Sequence, residues 1–239
     1  MEGQGRLLSV TYTTIHFVRH GEVYNPDHIL YERLPGYHLS DRGRSMARRT
    51  ARYLAANAGP AHAIAVYSSP LERAQETAGC ILEAINELRM AEGSDPLELR
   101  TDERLIEAGN EFRGTTVGKG DGALWRHGHW KLMKDPFKPS WGESYRHIAE
   151  RMVDFTYDVL DSLCEFPQTP LPAFSGNDVI VVSHESPIWC LRRALETGRP
   201  EHNMLKRQTA LASVTSFTFE NESHRLLGLA YADPAKHVK

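Results

Sequence analysis

An α/β fold, with helices covering both faces of a mainly parallel sheet, is what the 239-residue sequence predicts. Three observations point there. Short β-rich runs alternate with longer helical patterns. The runs "TIHFV" (Thr14–Val18), "AIAVYS" (Ala63–Ser68) and "DVIVVS" (Asp178–Ser183) are apolar enough to be buried on both faces, as parallel strands are. The helical stretches between them begin and end on recognisable start and stop residues.

The elements are taken in chain order. After Thr14–Val18, a helix starts near Ser40 and runs to about Asn57, ended by Gly59 and Pro60. Beyond Ala63–Ser68, Ser69 is expected as an N-cap, with Pro70 at N1 and Glu72 at N3 completing a capping box. Leu71, Ala74, Ala78, Leu82, Ile85 and Leu88 then form one apolar stripe, and Gly93 is the stop. A third helix covers about Glu143–Phe166, with Ile148, Met152, Phe155, Val159 and Leu163 inward. Asp178–Ser183 leads to a helix that begins at Ser186-Pro187 and ends near Gly198. Ser213–Phe219 and Arg225–Tyr231, separated only by "ENESH", read as a terminal hairpin or edge pair. The "VTSFTF" strand would offer an edge through which a homodimer pairs.

Composition sets the outer bounds. A chain of 239 residues is long enough for one large domain with a substantial core or for two small ones, and hydrophobic residues at 41% and charged residues at 25% are ordinary for a soluble globular protein. A formal net charge of −3 gives no electrostatic case for a nucleic-acid partner. Cys80, Cys164 and Cys190 are too few and too scattered for a disulfide framework, which suits a reducing compartment. No signal-like N-terminus and no apolar run of about 18 residues is present, so a cytoplasmic location without membrane insertion is expected.

In open parallel sheets, ligands gather beyond the carboxyl ends of the strands. Three such ends therefore belong together: Arg19-His20-Gly21, Ser68-Ser69-Pro70-Leu71-Glu72-Arg73, and Ser183-His184-Glu185. Their residue types match the needs of a phosphate monoester, a dianion at neutral pH. Arg19 and Arg73 supply guanidinium forks for its oxygens, and the helix N-terminus at Arg73 adds partial positive charge. His20 is the candidate nucleophile, kept unprotonated by the neighbouring arginines, and would form a phosphohistidine that water hydrolyses. Gly21 is expected where the backbone passes close to the phosphate. His184, protonated, would donate to a phosphate oxygen. The leaving alkoxide needs a carboxylic acid. Glu107, in "ERLIEAGNEFRG", is the best candidate; Glu22, Glu72 and Glu185 are alternatives on spacing alone.

The motifs "VRHGE", "SSPLERAQETA", "LIEAG" and "VSHE", in this order, resemble the histidine phosphatase (phosphoglycerate mutase-like) superfamily from about Thr14 to Tyr231. The elements "RLPGYHLS" and "PSWGESY" resemble bacterial, especially actinobacterial, members. The resemblance implies a three-layer α/β/α sandwich and a single domain over residues 1–239. It also implies a phosphohistidine mechanism without metal, and no cofactor is expected. By position it assigns His20 as nucleophile, Arg19, Arg73 and His184 as phosphate ligands, and Glu107 as proton donor. Two departures stand out. The family's T-x-x-N after the glutamate is Val23-Tyr24-Asn25-Pro26 here, which puts Asn25 one residue early for a phosphate ligand. The usual S-H-G-G is Ser183-His184-Glu185-Ser186, which sets a carboxylate beside His184.

Other features have plainer readings. His127 and His129 in "RHGHW" have no nearby cysteine or carboxylate to complete a metal site. Arg42, Arg44, Arg48, Arg49 and Arg52 form a solvated helix face. Trp125, Trp130, Phe137 and Trp141 fall in a Gly-, Lys- and Pro-containing segment, about 110–145, read as loop anchoring or as a lid. The pocket walls are expected from Tyr24–Leu39 and Glu111–Tyr145. A phosphomonoester phosphatase acting on a small phosphorylated metabolite is the leading expectation. A phosphoglycerate mutase is its nearest rival, since "LWRHGHW" resembles the W-R-R stretch of the cofactor-dependent mutases, with His127 at the second arginine. A non-catalytic phospholigand-binding module is the rival from another class.

Overall fold

The computed structural model describes residues 11–116, 142–164, 177–200 and 206–239. Within them, six strands form one sheet: β1 (Tyr12–Arg19), β2 (Ala65–Ser68), β3 (Leu99–Thr101), β4 (Asn177–Ser183), β5 (Val214–Glu220) and β6 (Leu226–Ala232). Their order is β3-β2-β4-β1-β5-β6. The first four positions are parallel; β5 runs antiparallel to β1, and β6 antiparallel to β5. The expected hairpin is present, but β5 is paired on both sides. It offers no free edge for a dimer, and the outer strands are β3 and β6.

Five helices cover the sheet among the described residues: α1 (Asp41–Ala55), α2 (Ala58–Ala61), α3 (Glu72–Ala91), α4 (Tyr145–Cys164) and α5 (Glu185–Thr197). Ile15, Phe17, Val179, Val181 and Phe217 meet Met152, Phe155, Leu160, Ile188 and Leu191 of α4 and α5 on one face. Val18, Val66, Ile180 and Val182 meet Ala51, Leu54, Ala74, Ala78 and Ile81 of α1 and α3 on the other. The strands lack polar alternation because both of their faces lie against helices.

Local chemistry sets most helix ends. The Ser40 hydroxyl caps α1 by accepting from the Gly43 N–H at 2.9 Å. Gly198, at φ 66°, closes α5 with its N–H on Ala194 O at 2.8 Å. The expected cap of α3 is different: Leu71 is the N-cap and has no side-chain cap bond, so Ser69 and Glu72 make no capping box. The chain stays extended through Leu71, because Ser69 continues the ladder beside β4 with its N–H on Val182 O at 2.9 Å. Among the described residues, no helix is long and apolar enough to cross a membrane.

A buried histidine sits inside β1. His16 has Nε2 2.7 Å from Asp178 Oδ1 and Nδ1 2.8 Å from Ser216 Oγ, so both ring nitrogens are satisfied across β4 and β5.

Candidate active site

The carboxyl ends of β1, β4 and β2 lie side by side because β4 runs between the other two. The His20 N–H donates to Ser183 O at 3.1 Å, which extends the ladder one residue past β1. His20, His184 and Ser69 therefore leave the sheet together, and the His20 and His184 rings stand 5.0 Å apart between centroids. Arg73, in the first turn of α3, is fully buried, as is His184; His20 is 2% exposed.

Hydrogen bonding sets the state of each ring. His20 Nδ1 is 2.7 Å from Gly21 O, and a carbonyl can only accept. Nδ1 therefore carries the proton and Nε2 keeps its lone pair. Burial, then the charges of Arg73 and Arg19, hold His20 well below 6.5; the Gly21 carbonyl opposes them weakly. His184 Nε2 lies 2.7 Å from Ser69 Oγ. Burial, then Arg73 and His20, hold His184 well below 6.5 as well. These influences favour a neutral His184 ring, with one N–H to donate, over the protonated one expected from sequence.

The cations converge on the same space. Arg19 donates from Nη1 to Thr209 O at 2.6 Å, and its Nη2 is 3.1 Å from Glu185 Oε2. Arg73 donates from Nη2 to Glu32 O and stacks over Tyr31, 4.8 Å from the ring centroid. Arg19 Nε, Arg73 Nε and Nη1, and His184 Nδ1 remain buried without a hydrogen-bond partner among the described residues. A buried group left unpaired costs about 1–3 kcal/mol, so such a cluster suits an anion that would satisfy it. A cavity of about 250 Å³ opens here, lined by Arg19, His20, Tyr31, Glu107, Glu185 and Arg207 among others.

Glu107 reaches this cavity through a bracing network. It comes after a 3-10 turn, Glu103–Leu105, and its Oε1 accepts from the Ala108 N–H at 2.8 Å. Arg33 Nε donates to Glu107 O at 2.7 Å and Arg33 Nη2 to Glu143 Oε2 at 2.7 Å, while Arg151 Nε donates to Glu143 Oε1 at 2.8 Å. The start of α4 packs so closely that a Cβ on Gly142 would lie 1.9 Å from Gly109 O. Burial pushes the Glu107 carboxyl above its ordinary range; the Ala108 amide, Arg73 and Arg19 offset part of this, and Glu185 adds to it. Its acid form therefore persists to higher pH.

The remaining candidates separate clearly. Glu185 lines the cavity, between Arg19 and Arg207. Glu22 does not; it accepts from the Ser40 hydroxyl at 2.8 Å and from Arg42. Asn25 bonds its own loop, accepting from the Ile29 N–H and donating to Ile29 O. Glu72 accepts from the Gly36 N–H at 3.1 Å. A Cβ on Gly21 would meet Gly43 O of α1 at 2.5 Å, so the packing of β1's exit on α1 by itself requires a glycine there.

Sequence reasoning missed four contributors. Ser69 was hidden behind its likeness to a helix cap, and Arg207 lies in no motif. Tyr31 and Glu32 fall in a stretch expected to form the pocket wall, but nothing singled them out. His127, His129, Trp125, Trp130, Phe137 and Trp141 lie outside the described residues, as does most of the 110–145 segment.

Comparison with known proteins shows the family. The family model for the histidine phosphatase superfamily (branch 1) matches residues 15–231. The Mycobacterium tuberculosis (strain ATCC 25618 / H37Rv) protein Rv0525 is 41% identical over 224 residues, covering 93% of this chain and 97% of its own. The structure of mycobacterial glucosyl-3-phosphoglycerate phosphatase Rv2419c is similar at a TM-score of 0.68 and 24% identity, covering 93% of this chain and 99% of its own. Phosphoglycerate mutase from Bacillus anthracis str. Sterne is similar at a TM-score of 0.62 and 20% identity, covering 94% and 92%. The chain, with its mainly parallel three-layer fold, belongs to the histidine phosphatase superfamily.

Proposed function

We propose that this protein is a phosphomonoester phosphatase that works through a phosphohistidine on His20. The observation that carries the reading is the set of buried, unpartnered donors on Arg19, Arg73 and His184, the residues whose charges or ring lie beside His20: Arg19 Nε, Arg73 Nε and Nη1, and His184 Nδ1. A phosphoryl group is the ligand whose charge and oxygen count satisfy them together.

The chemistry runs in two balanced steps. The Nε2 lone pair attacks phosphorus, the ester P–O bond breaks, and the leaving oxygen takes the proton of Glu107. Water then attacks the phosphohistidine and passes a proton to the Glu107 carboxylate. The P–N bond breaks and its electron pair returns to Nε2. Arg19, Arg73 and His184 stabilise the charge that grows on the transferring oxygens. The lowered His20 and raised Glu107 values each favour the form that the group's first step requires.

The test is phosphate release from p-nitrophenyl phosphate with chelator present, for the parent and for His20→Ala. Turnover in the parent, lost at least ~10³-fold in the variant, is expected of an essential nucleophile. Equal turnover by the two proteins would remove His20 from the mechanism. Tight phosphate binding without turnover of any ester would favour a binding module. A requirement for 2,3-bisphosphoglycerate would favour a mutase.

A further inference from the structure

Glu32 is the most unusual carboxylate near the site. Its side chain is only 3% exposed, yet neither oxygen has a hydrogen bond of good geometry among the described residues, the Arg33 amide being a weak neighbour. Its backbone has φ 39°, in the left-handed region that residues with a Cβ avoid. Its carbonyl accepts from Arg73, so the residue is held against the arginine proposed to grip phosphate. Glu32 also lies where two cavities adjoin. It lines the 250 Å³ cavity that contains His20, and a second of about 370 Å³ bounded by Arg33, Asn110, Arg113 and Glu143. Asn110 is the other residue lining both. An alcohol whose phosphate occupied the first space would extend past Glu32 into the second.

The surroundings specify what Glu32 lacks. Arg33 Nε is 3.5 Å and Arg113 Nε 3.6 Å from its two oxygens. Those distances balance its charge but are long for hydrogen bonds. A leaving group with an ammonium would enter between two guanidinium groups, and one with a carboxylate would face Glu32 itself. Neutral hydroxyls supply donors and bring no charge. Burial pushes the Glu32 carboxyl up, and the Arg33 amide with the charges of Arg113 and Arg33 offsets part of that cost.

We propose that Glu32 is a specificity residue whose carboxylate accepts hydrogen bonds from hydroxyls of the leaving group, so that the site selects phosphate esters of hydroxyl-rich alcohols. This inference rests on the phosphomonoester reading above. Its test is binding rather than turnover: calorimetric titration of the His20→Ala protein with glycerol 3-phosphate and with n-propyl phosphate, which share a three-carbon chain and differ in hydroxyls. Glycerol 3-phosphate should bind at least about tenfold tighter, the scale of one hydrogen bond to a charged acceptor. The preference should vanish when Glu32→Leu is added and survive in part with Glu32→Gln, which keeps one acceptor. Because each protein is read as a ratio of two ligands, a general loss of affinity cancels. Circular dichroism confirms that each variant is folded.

Equal affinity for the two esters, or a preference that persists in Glu32→Leu, would overturn the assignment. Tighter binding of phosphoethanolamine than of glycerol 3-phosphate would also overturn it, in favour of an amine. If inorganic phosphate binds but neither ester does, the Glu32 subsite falls and the phosphate site stands. If inorganic phosphate does not bind either, the reading beneath it falls too.

Discussion

Of the two His184 ring nitrogens, one has a fixed partner among the described residues. Ser69 Oγ accepts from the Leu71 N–H at 3.4 Å, so its own proton is free for His184 Nε2, 2.7 Å away. With the hydroxyl donating, the His184 proton sits on Nδ1, a buried atom without a partner among the described residues. Ser69 is thus a positioning residue, acting through the ring it orients. Ser69→Ala should lower kcat/KM roughly three- to tenfold, the cost of one neutral hydrogen bond. Ser69→Thr, which keeps the hydroxyl, should restore most of it. A loss of the same size in both variants would indicate a packing role instead. The same economy of atoms explains why Glu22 and Asn25 contribute nothing to the cavity: their side-chain oxygens are engaged near α1 and in the Asn25–Ile29 loop.

Elements reach the site by leaning on one another at close range. The exit of β1 lies against α1 closely enough that Gly43 has no room for a Cβ, which would fall 1.9 Å from Glu22 O. The Glu107 segment depends on α4 in a different way. Glu143, just before that helix, is 9% exposed at its side chain and ties Arg33 to Arg151. Burial works against its ionisation, but the Arg151 hydrogen bond, the charges of Arg151 and Arg33 and the Gly109 amide together hold its carboxyl below the ordinary range. Glu143→Ala would strand two arginines and free the Glu107 segment. A loss of about 3 kcal/mol is expected from breaking a mostly buried ion pair, measured by urea unfolding at pH 7. Glu143→Gln should lose less. Because the Glu143 value is depressed, its contribution is present above the ordinary carboxylate range and is lost only as pH falls through the folded value.

Across the whole molecule, two buried histidines whose values are lowered tie folding to pH. His20 and His184 are both held well below 6.5, so the unfolded chain takes up protons first as pH falls. Their contribution is complete above about pH 6.5 and declines below it, at up to about 1.4 kcal/mol per pH unit for each ring. Glu107, raised by burial, acts oppositely: its share declines as pH rises above the ordinary carboxylate range. Comparing proteins isolates one ring from the rest. Between pH 6.5 and 5, the unfolding free energy of His20→Ala should fall less steeply than the parent's, by the slope of about one proton. Parallel curves would mean that His20 is protonated in the folded state.

Much of this architecture was legible beforehand. The strand cores, the Ser40 cap of α1, the Gly198 stop and the grouping of His20, Arg73 and His184 all come from local patterns: apolar runs, capping residues and the reactive side chains at strand ends. β3 was not legible, because Leu99–Thr101 is three residues long and mostly exposed, so it carries no periodicity. The place of β4 between β1 and β2 was not legible either, although it is what brings the three strand ends together. Spacing could not rank Glu22, Glu72, Glu107 and Glu185, since each lies near a plausible turn. By itself, then, the sequence determined which elements form and which reactive side chains end them, because periodicity and capping act over a few residues. Tertiary structure alone decided which buried atoms have partners and which are left unpaired. Hydrogen-bond satisfaction is settled by groups distant in the chain: Ser69 for His184, and Glu143 for the segment of Glu107.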